Sequence, residues 1–204
     1  MENRLAILPL GSLAKTLFMG VNLGRVPKTP PGTGNLPIIH VKDVVDGALT
    51  NLDRLERISL PETPQNVRQR LLPGDILLSA RGTLMKCVVI PESHWGAVAS
   101  GNFIIIRLGQ TAALQPELLR AFLHLPATQG YLLSRVTGSV QSALNIRDLE
   151  EVPIPLPPEN IQSDLVRLIV VAEEQYRCAV ECARHRQDEA MTIVEQYMDV
   201  RHAL

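Results

Sequence analysis

Only three cysteines, Cys87, Cys178 and Cys182, occur in the 204 residues, and one must stay unpaired under any disulfide scheme. That excludes a disulfide scaffold and fits a reducing compartment, so the expected location is cytoplasmic. Long apolar runs are lacking too. Phe103 to Ile106 and Leu168 to Ala172 are among the longest, far below the ~20 residues that a membrane span requires. Met1-Glu2-Asn3-Arg4 sets an acid beside its one base and leads to no small-residue cleavage site, so no signal peptide is expected. The local signatures of catalysis are missing as well: no phosphate loop of the G-x-x-x-x-G-K-(S/T) type, no G-x-G-x-x-G opening a helix, no H-E-x-x-H and no G-x-S-x-G. The Asn-Pro-Pro-aromatic run that holds a flipped adenine for methylation is also absent, since Pro157-Pro158 is followed by Glu159. A non-catalytic chain is expected.

What is present reads as a folded protein of two characters. Apolar residues make up 46% and charged residues 20%, an ordinary globular balance. The net charge of −1 conceals an asymmetry: residues 1–150 hold fifteen Lys/Arg against eleven Asp/Glu, and residues 151–204 hold five against ten, or about +4 and −5. A mildly basic globule thus precedes an acidic tail, a combination suited to a nucleic-acid-binding head with a protein-binding arm.

From Leu5 to about Gly109 the chain is short apolar runs cut by Pro and Gly, which predicts short strands and turns. Leu36 to Val41 reads as a strand, and Lys42 to Gly47 as a turn or short helix closed by glycine. Pro73-Gly74-Asp75 is a turn that launches a buried strand over Ile76 to Ala80. Arg81-Gly82-Thr83 breaks it, and Cys87 to Ile90 resumes it as the second arm of a hairpin. Val98 to Asn102 reads as a turn, and Phe103 to Leu108 as a central strand. Helical spacing begins at Pro116, with a second helix over Ala127 to Val136 and a short helical turn over Asn145 to Leu149. Val152 to Pro158 alternates apolar residues with prolines, predicting an extended rod or sheet edge.

Beyond Pro158 there is neither glycine nor proline. Apolar or small residues recur at Ile161, Leu165, Leu168, Ala172, Tyr176, Ala179, Ala183, Ala190, Ile193 and Tyr197, predicting one long helix of ~40 residues, about 60 Å. That length exceeds a domain diameter and implies a partner helix; polar Arg186 and Gln187 leave open a turn that folds the arm back on itself. The expected fold is therefore α+β, a mixed, strand-rich domain over 1–157 followed by a C-terminal coiled-coil helix over 158–204.

Candidate metal ligands are weak. Cys178, Cys182 and His185 share a helical face at i, i+4 and i+7 but lack a fourth ligand, and read as helix packing, with no metal site expected. His40, His94, His124 and His202 are dispersed and read as structural or solvated. Gly32-Thr33-Gly34-Asn35 opens no helix and reads as a surface loop. What remains is basic and amide chemistry in the loops of the head: Arg25, Lys28, Thr29, His40, Lys42, Arg81, Thr83, Lys86, Ser100, Asn102, Arg135, Ser139, Gln141, Asn145 and Arg147. Arg and Lys suit guanine edges and phosphates, Asn and Gln suit adenine.

Three segments in order carry a family resemblance. Leu72 to Thr83, with Lys86 to Ile90 after it, is similar to the run Pro-Gly-Asp-(Ile/Val)-Leu-(Leu/Ile)-Ser-x-Arg-Gly-(Thr/Ser) of type I restriction-modification specificity (S) subunits. Gly138-Ser139 through Leu144, then Asn145-Ile146, Leu149 and Val152 to Pro158, resembles that family's glycine-serine segment closing on prolines. The long helix directly after them looks like its spacer helix. The chain departs from the family at Leu36-Pro37-Ile38, where Ile-Pro-Trp is common, and at Asn160-Ile161-Gln162, where an acid-Gln pair is common. One recognition domain and one spacer make this resemble a half-subunit, since a full S subunit carries two of each. The resemblance implies a recognition domain that reads half of a split double-stranded DNA target. It further implies a homodimer through the helical stripe named above, with DNA adenine methyltransferase (M) subunits docked on it and a restriction or other defence subunit as a further partner. It implies no cofactor in this chain, with S-adenosylmethionine held by the partner methyltransferase. The other reading is an interaction protein that occupies the methyltransferase through its arm without reading DNA.

Overall fold

Short apolar runs cut by turn residues fold as short strands, and the helices begin where proline can take a first helical position. A computed structural model describes residues 5–25, 30, 33–109, 113–136 and 143–198. It opens with β1 (Ala6–Pro9), one helical turn α1 (Leu10–Leu13) and β2 (Ala14–Met19), then β3 (Leu36–Ile39), β4 (Val44–Val45), β5 (Ala48–Leu49) and β6 (Glu56–Ile58). A short helix α2 (Pro64–Arg68) follows, with Pro64 in its first turn and the Thr63 hydroxyl accepting from the Asn66 N–H at 3.2 Å. Next come β7 (Ile76–Ser79), β8 (Cys87–Val89), β9 (Val98–Ala99) and β10 (Phe103–Leu108). The chain closes with α3 (Pro116–His124), α4 (Pro126–Ser134), α5 (Ile146–Glu150), β11 (Pro153–Leu156) and α6 (Glu159–Met198). The α+β expectation holds, and the arm is a single unbroken helix through Arg186 and Gln187.

Four antiparallel strands in the order β2-β10-β7-β8 form the main sheet. Its middle strand β10 buries all of Phe103 to Ile106, which is why that run is β-branched and apolar on both faces. On one face Leu77, Val88, Phe103 and Ile105 meet Ile39, Val44, Leu71 and Ala99 in the larger core cluster. A second sheet, β6-β3-β9, pairs β3 with β9 in parallel, with Ile38 opposite Val98, and packs a smaller cluster around Ile38, Ile58, Leu60 and Val98. The segment expected as a turn or short helix at Lys42 to Gly47 is instead a single 3-10 turn and the hairpin β4-β5. Asp46 and Gly47 supply the two positive φ values (49° and 74°) that a tight hairpin of matching twist requires.

The proline-rich segment is a sheet edge. β11 pairs antiparallel with β1, joining the beginning of the described chain to the residues before the arm. Pro9, Pro153 and Pro155 occupy pairs one residue out of phase with the Leu10 N–H to Val152 carbonyl bond (2.9 Å), so the ladder asks nothing of nitrogens that carry no hydrogen.

Two buried polar groups fix the frame. Asp75, 2% exposed, receives the Arg107 guanidinium as a fork, Nε to Oδ1 at 2.8 Å and Nη2 to Oδ2 at 2.6 Å. Its Oδ2 also accepts the Leu72 N–H at 2.8 Å, closing the turn that Gly74 enters with φ +84°. Arg107 Nη2 further donates to the Arg70 carbonyl at 2.9 Å, and the Phe18 ring lies 5.5 Å from the guanidinium. Gln162, 4% exposed in the first turn of α6, accepts from the Gln115 N–H (3.1 Å) and donates to the carbonyls of Ala113 (2.7 Å) and Pro157 (3.0 Å). The chain divides into two compact units immediately after it, between Gln162 and Ser163. Replacing Gln162 by leucine strands a buried N–H and two carbonyls, with an expected cost of about 1–3 kcal/mol in urea unfolding; a loss near zero would mean that water satisfies them equally well.

Candidate nucleic-acid interface

The loop that leaves β7 is built around Ser79. Its buried hydroxyl donates to the Thr83 carbonyl (2.7 Å) and accepts the Lys86 N–H (2.8 Å), and Gly82 and Met85 take positive φ values of 73° and 66° within the span so closed. Arg81 therefore departs from a rigid junction. The N–H groups of Ala80 and Arg81 both donate to the Asn102 carbonyl (2.8 and 3.3 Å), Leu144 donates to the Ala80 carbonyl (3.0 Å), and Arg81 bridges Ala143. The exposed Arg81 side chain makes no hydrogen bond or ion pair with the described residues.

Arg81 lies on the wall shared by two grooves. One, of about 460 Å³, runs between Met19–Gly24 and Ser100–Asn102. The other, of about 430 Å³, runs from Met19 to Leu144, Asn145, Ile146, Arg147 and Asp148. Glycine makes the first groove possible: a Cβ at Gly20 would lie 2.3 Å from the Ser100 carbonyl oxygen. Three strands of backbone meet there, Gly20 donating to Phe103 O (3.0 Å), Val21 to Ala99 O (2.7 Å) and Gly101 to Val21 O (2.7 Å). The structure thus gathers Arg81, Asn102 and the pair Asn145 and Arg147 from three separate stretches of chain, and adds Asn22 from a fourth. Sequence reading missed Asn22; its Oδ1 accepts the Gly24 N–H at 3.0 Å, a turn that the Asn-x-Gly spacing signals.

Other candidates fall elsewhere. Lys86 is a correction: its ammonium donates inward to the carbonyls of Val44 (2.6 Å) and Val41 (3.2 Å), holding the 3-10 turn before β4 against β8, so it serves the fold. Ser100 is 1% exposed and lies in the floor of the first groove. Arg135 is paired with Glu151 (3.0 Å) and stacked 4.7 Å from the Tyr131 ring. Thr83 is exposed, and Lys42 is exposed on the 3-10 turn. His40 sits 3.1 Å from Glu56. The Arg25 side chain and Lys28, Thr29, Ser139 and Gln141 lie outside the described residues. Buried His94 lies between the Ser93 hydroxyl (3.0 Å) and the Thr50 carbonyl (2.9 Å), a structural role. Burial pushes the Cys87 thiol up to about 12 against the opposing pull of Arg120, leaving it unreactive. Cys178 and Cys182 are exposed, and among the described residues no group of His, Cys, Asp and Glu could hold a metal ion.

The arm has an uncovered apolar face. Past Gln162 no residue of α6 is buried, and Leu168 (67%), Tyr176 (58%), Ile193 (50%) and Tyr197 (88%) stand exposed. Ile161, Ala172, Ala179, Ala183 and Ala190 are exposed too, and Leu165 is half-buried. No helix among the described residues is long and apolar enough to cross a membrane.

Among the described residues a strand-rich head with a polar groove thus precedes, in the chain, a long helix with an exposed apolar stripe. Residues 24–169 match the model of the type I restriction modification DNA specificity domain, and the chain belongs to that family. Over 135 residues it is 25% identical to the type I restriction enzyme EcoBI specificity subunit of Escherichia coli, an alignment covering 66% of this chain and 28% of that one. Its fold is similar to the HsdS subunit from Thermoanaerobacter tengcongensis, at a TM-score of 0.63 and 19% identity over 88% of this chain and 44% of that one. It is similar also to a chain of a type I R-M system solved to describe complex assembly and conformational transition, at a TM-score of 0.64 and 22% identity over 96% and 45%. The chain spans less than half the length of these relatives.

Proposed function

We propose that this chain is the DNA-recognition subunit of a type I-like restriction-modification or defence methyltransferase complex. The observation that carries the reading is the family match over residues 24–169, which runs from the head through the prolines into the first turns of α6. The head, 1–157, reads one half of a bipartite duplex target. The arm, 158–204, joins a second copy through its apolar stripe, and two-fold symmetry then makes the target palindromic. The assembled arms carry the adenine methyltransferase subunits, and a restriction or other defence subunit joins them. This chain positions and does not catalyse; the flipped adenine and S-adenosylmethionine belong to the partner.

Co-expression with the methyltransferase encoded beside it, followed by sequencing of methylated adenines in the host, tests the assignment. A bipartite, palindromic methylated motif that vanishes when this chain is omitted is the expected result. Methylation unchanged by the omission would overturn it and leave an adaptor that occupies the methyltransferase through its arm.

A further inference from the structure

Ser100 is 99% buried, yet its hydroxyl has no hydrogen-bond partner among the described residues, and it floors the groove walled by Met19–Gly24, Gly101, Asn102 and Arg81. A hydroxyl buried without a partner opposes folding, so a site that keeps one points to a group that arrives later. The chemistry of the walls says which kind. Arg81 is the groove's one charged side chain among the described residues, and no carboxylate lines it. The Asn22 amide accepts the Gly24 N–H through Oδ1, which leaves its N–H donors to offer, and Asn102 adds a further amide. Gly20 and Gly101 let the backbone segments that wall the groove pack against one another, a Cβ at Gly20 meeting the Ser100 carbonyl oxygen and one at Gly101 that of Val21. The groove therefore offers a cation, a hydroxyl and amide donors, the complement of an anionic oxygen.

We propose that this groove seats one phosphodiester of the DNA backbone and grips it without reading sequence. The inference rests on the DNA-recognition reading above and assigns Arg81, Ser100 and Asn102 to positioning the duplex, leaving base readout to other loops. Arg81 suits the part because its backbone is held by main-chain bonds on both sides and its exposed planar guanidinium can meet two phosphate oxygens at once. Two such contacts per dimer set the register of each head on its half-site.

The test uses the full chain purified with its co-expressed methyltransferase, and two duplexes, one carrying the methylated motif and one scrambled. Binding is measured by fluorescence anisotropy across a salt series, with thermal unfolding recorded for every variant. Arg81→Ala is expected to weaken both duplexes by about tenfold and to reduce the slope of log affinity against log salt by about one. Ser100→Ala removes an unsatisfied group, so its melting temperature is expected to hold or rise while both affinities fall by about 3- to 10-fold. That split separates a ligand contact from a structural role. A loss confined to the motif duplex would show base readout and overturn the proposal. Wild-type affinity in both variants would overturn it too, while leaving DNA recognition intact. No salt-sensitive duplex binding by the wild-type complex would bring down the DNA-recognition reading itself, and the groove assignment with it.

Discussion

Replacing Asp75 by alanine is expected to cost about 3–5 kcal/mol of stability, a large share of the ~5–15 kcal/mol that holds a domain of this size together. The reason lies in what the carboxylate leaves behind. Arg107 is only 18% exposed and donates to both Asp75 oxygens, so without them a guanidinium stays buried with one carbonyl, that of Arg70, to answer it. The Leu72 N–H loses its acceptor in the same step, and with it the turn that starts β7. Since β7 lies beside β10 in the centre of the main sheet, the damage is global. Urea unfolding of the single variant and of Asp75→Ala with Arg107→Leu is the check. Removing both partners leaves no buried charge, so the double variant is expected to recover part of the loss. A single-variant cost below about 1 kcal/mol would show that water reaches the pair and that the turn stands without it.

The same residue shows how far sequence reading goes. Pro73-Gly74-Asp75 announced a turn, and β7, β8 and β10 lay where short apolar runs bounded by Gly and Pro placed them. Those signals are local: a turn needs its own φ angles, and a buried strand needs its own apolar side chains. What the local pattern cannot contain is the identity of a distant partner. Arg107 reads as an ordinary charge at a strand end until the fold sets it against Asp75, 32 residues earlier. Lys86 read as a DNA-facing cation because a lysine in a hairpin loop is usually solvated; the carbonyls of Val41 and Val44 claim it from more than forty residues away. Ser100 and Asn102 lie two residues apart in sequence, and only the parallel pairing of β3 with β9 and the bridge from Val21 to Ser100 turn one into floor and the other into wall. The groove was visible in residue type and hidden in geometry. Over Lys42 to Gly47 the sequence leaves a turn and a short helix both open; the turn is what forms, with Asp46-Gly47 joining β4 to β5, a pairing that the dipeptide favours.

The largest functional effect is expected in the arm, from Ala183→Glu. Strict heptad spacing along α6 takes Ile169 in place of Leu168, leaves out Ile161 and runs through Arg186: Leu165, Ile169, Ala172, Tyr176, Ala179, Ala183, Arg186, Ala190, Ile193 and Tyr197 alternate steps of four and three without a break, the spacing of a coiled-coil seam. Arg186 alone among them is not apolar. Set antiparallel on a second copy about Glu181, the seam is self-complementary: Leu165 meets Tyr197, Ile169 meets Ile193, Ala172 meets Ala190 and Ala179 meets Ala183. Arg186 then falls opposite Tyr176, whose ring face suits a guanidinium. Alanine meets alanine at the centre and again beyond the Tyr176–Arg186 pair, and the larger Ile169–Ile193 and Leu165–Tyr197 pairs lie toward the ends. A glutamate at 183 puts two carboxylates into that centre, one from each copy, each facing an alanine of the other helix, with Arg186 one turn along its own helix as the sole seam cation near it. Burying the two like charges costs more than that neighbour repays, so the dissociation constant of the proposed dimer is expected to rise at least 10-fold in sedimentation equilibrium. Most of a helix's stability in a protein comes from packing of its apolar face, so far-UV ellipticity should fall as the arms part, while the head is expected to keep its unfolding transition. Bipartite methylation in the co-expression host should be lost with the dimer. A variant that still sediments as a dimer and still directs methylation would place the contact on another face of the arm, and the heptad seam would then be an accident of composition.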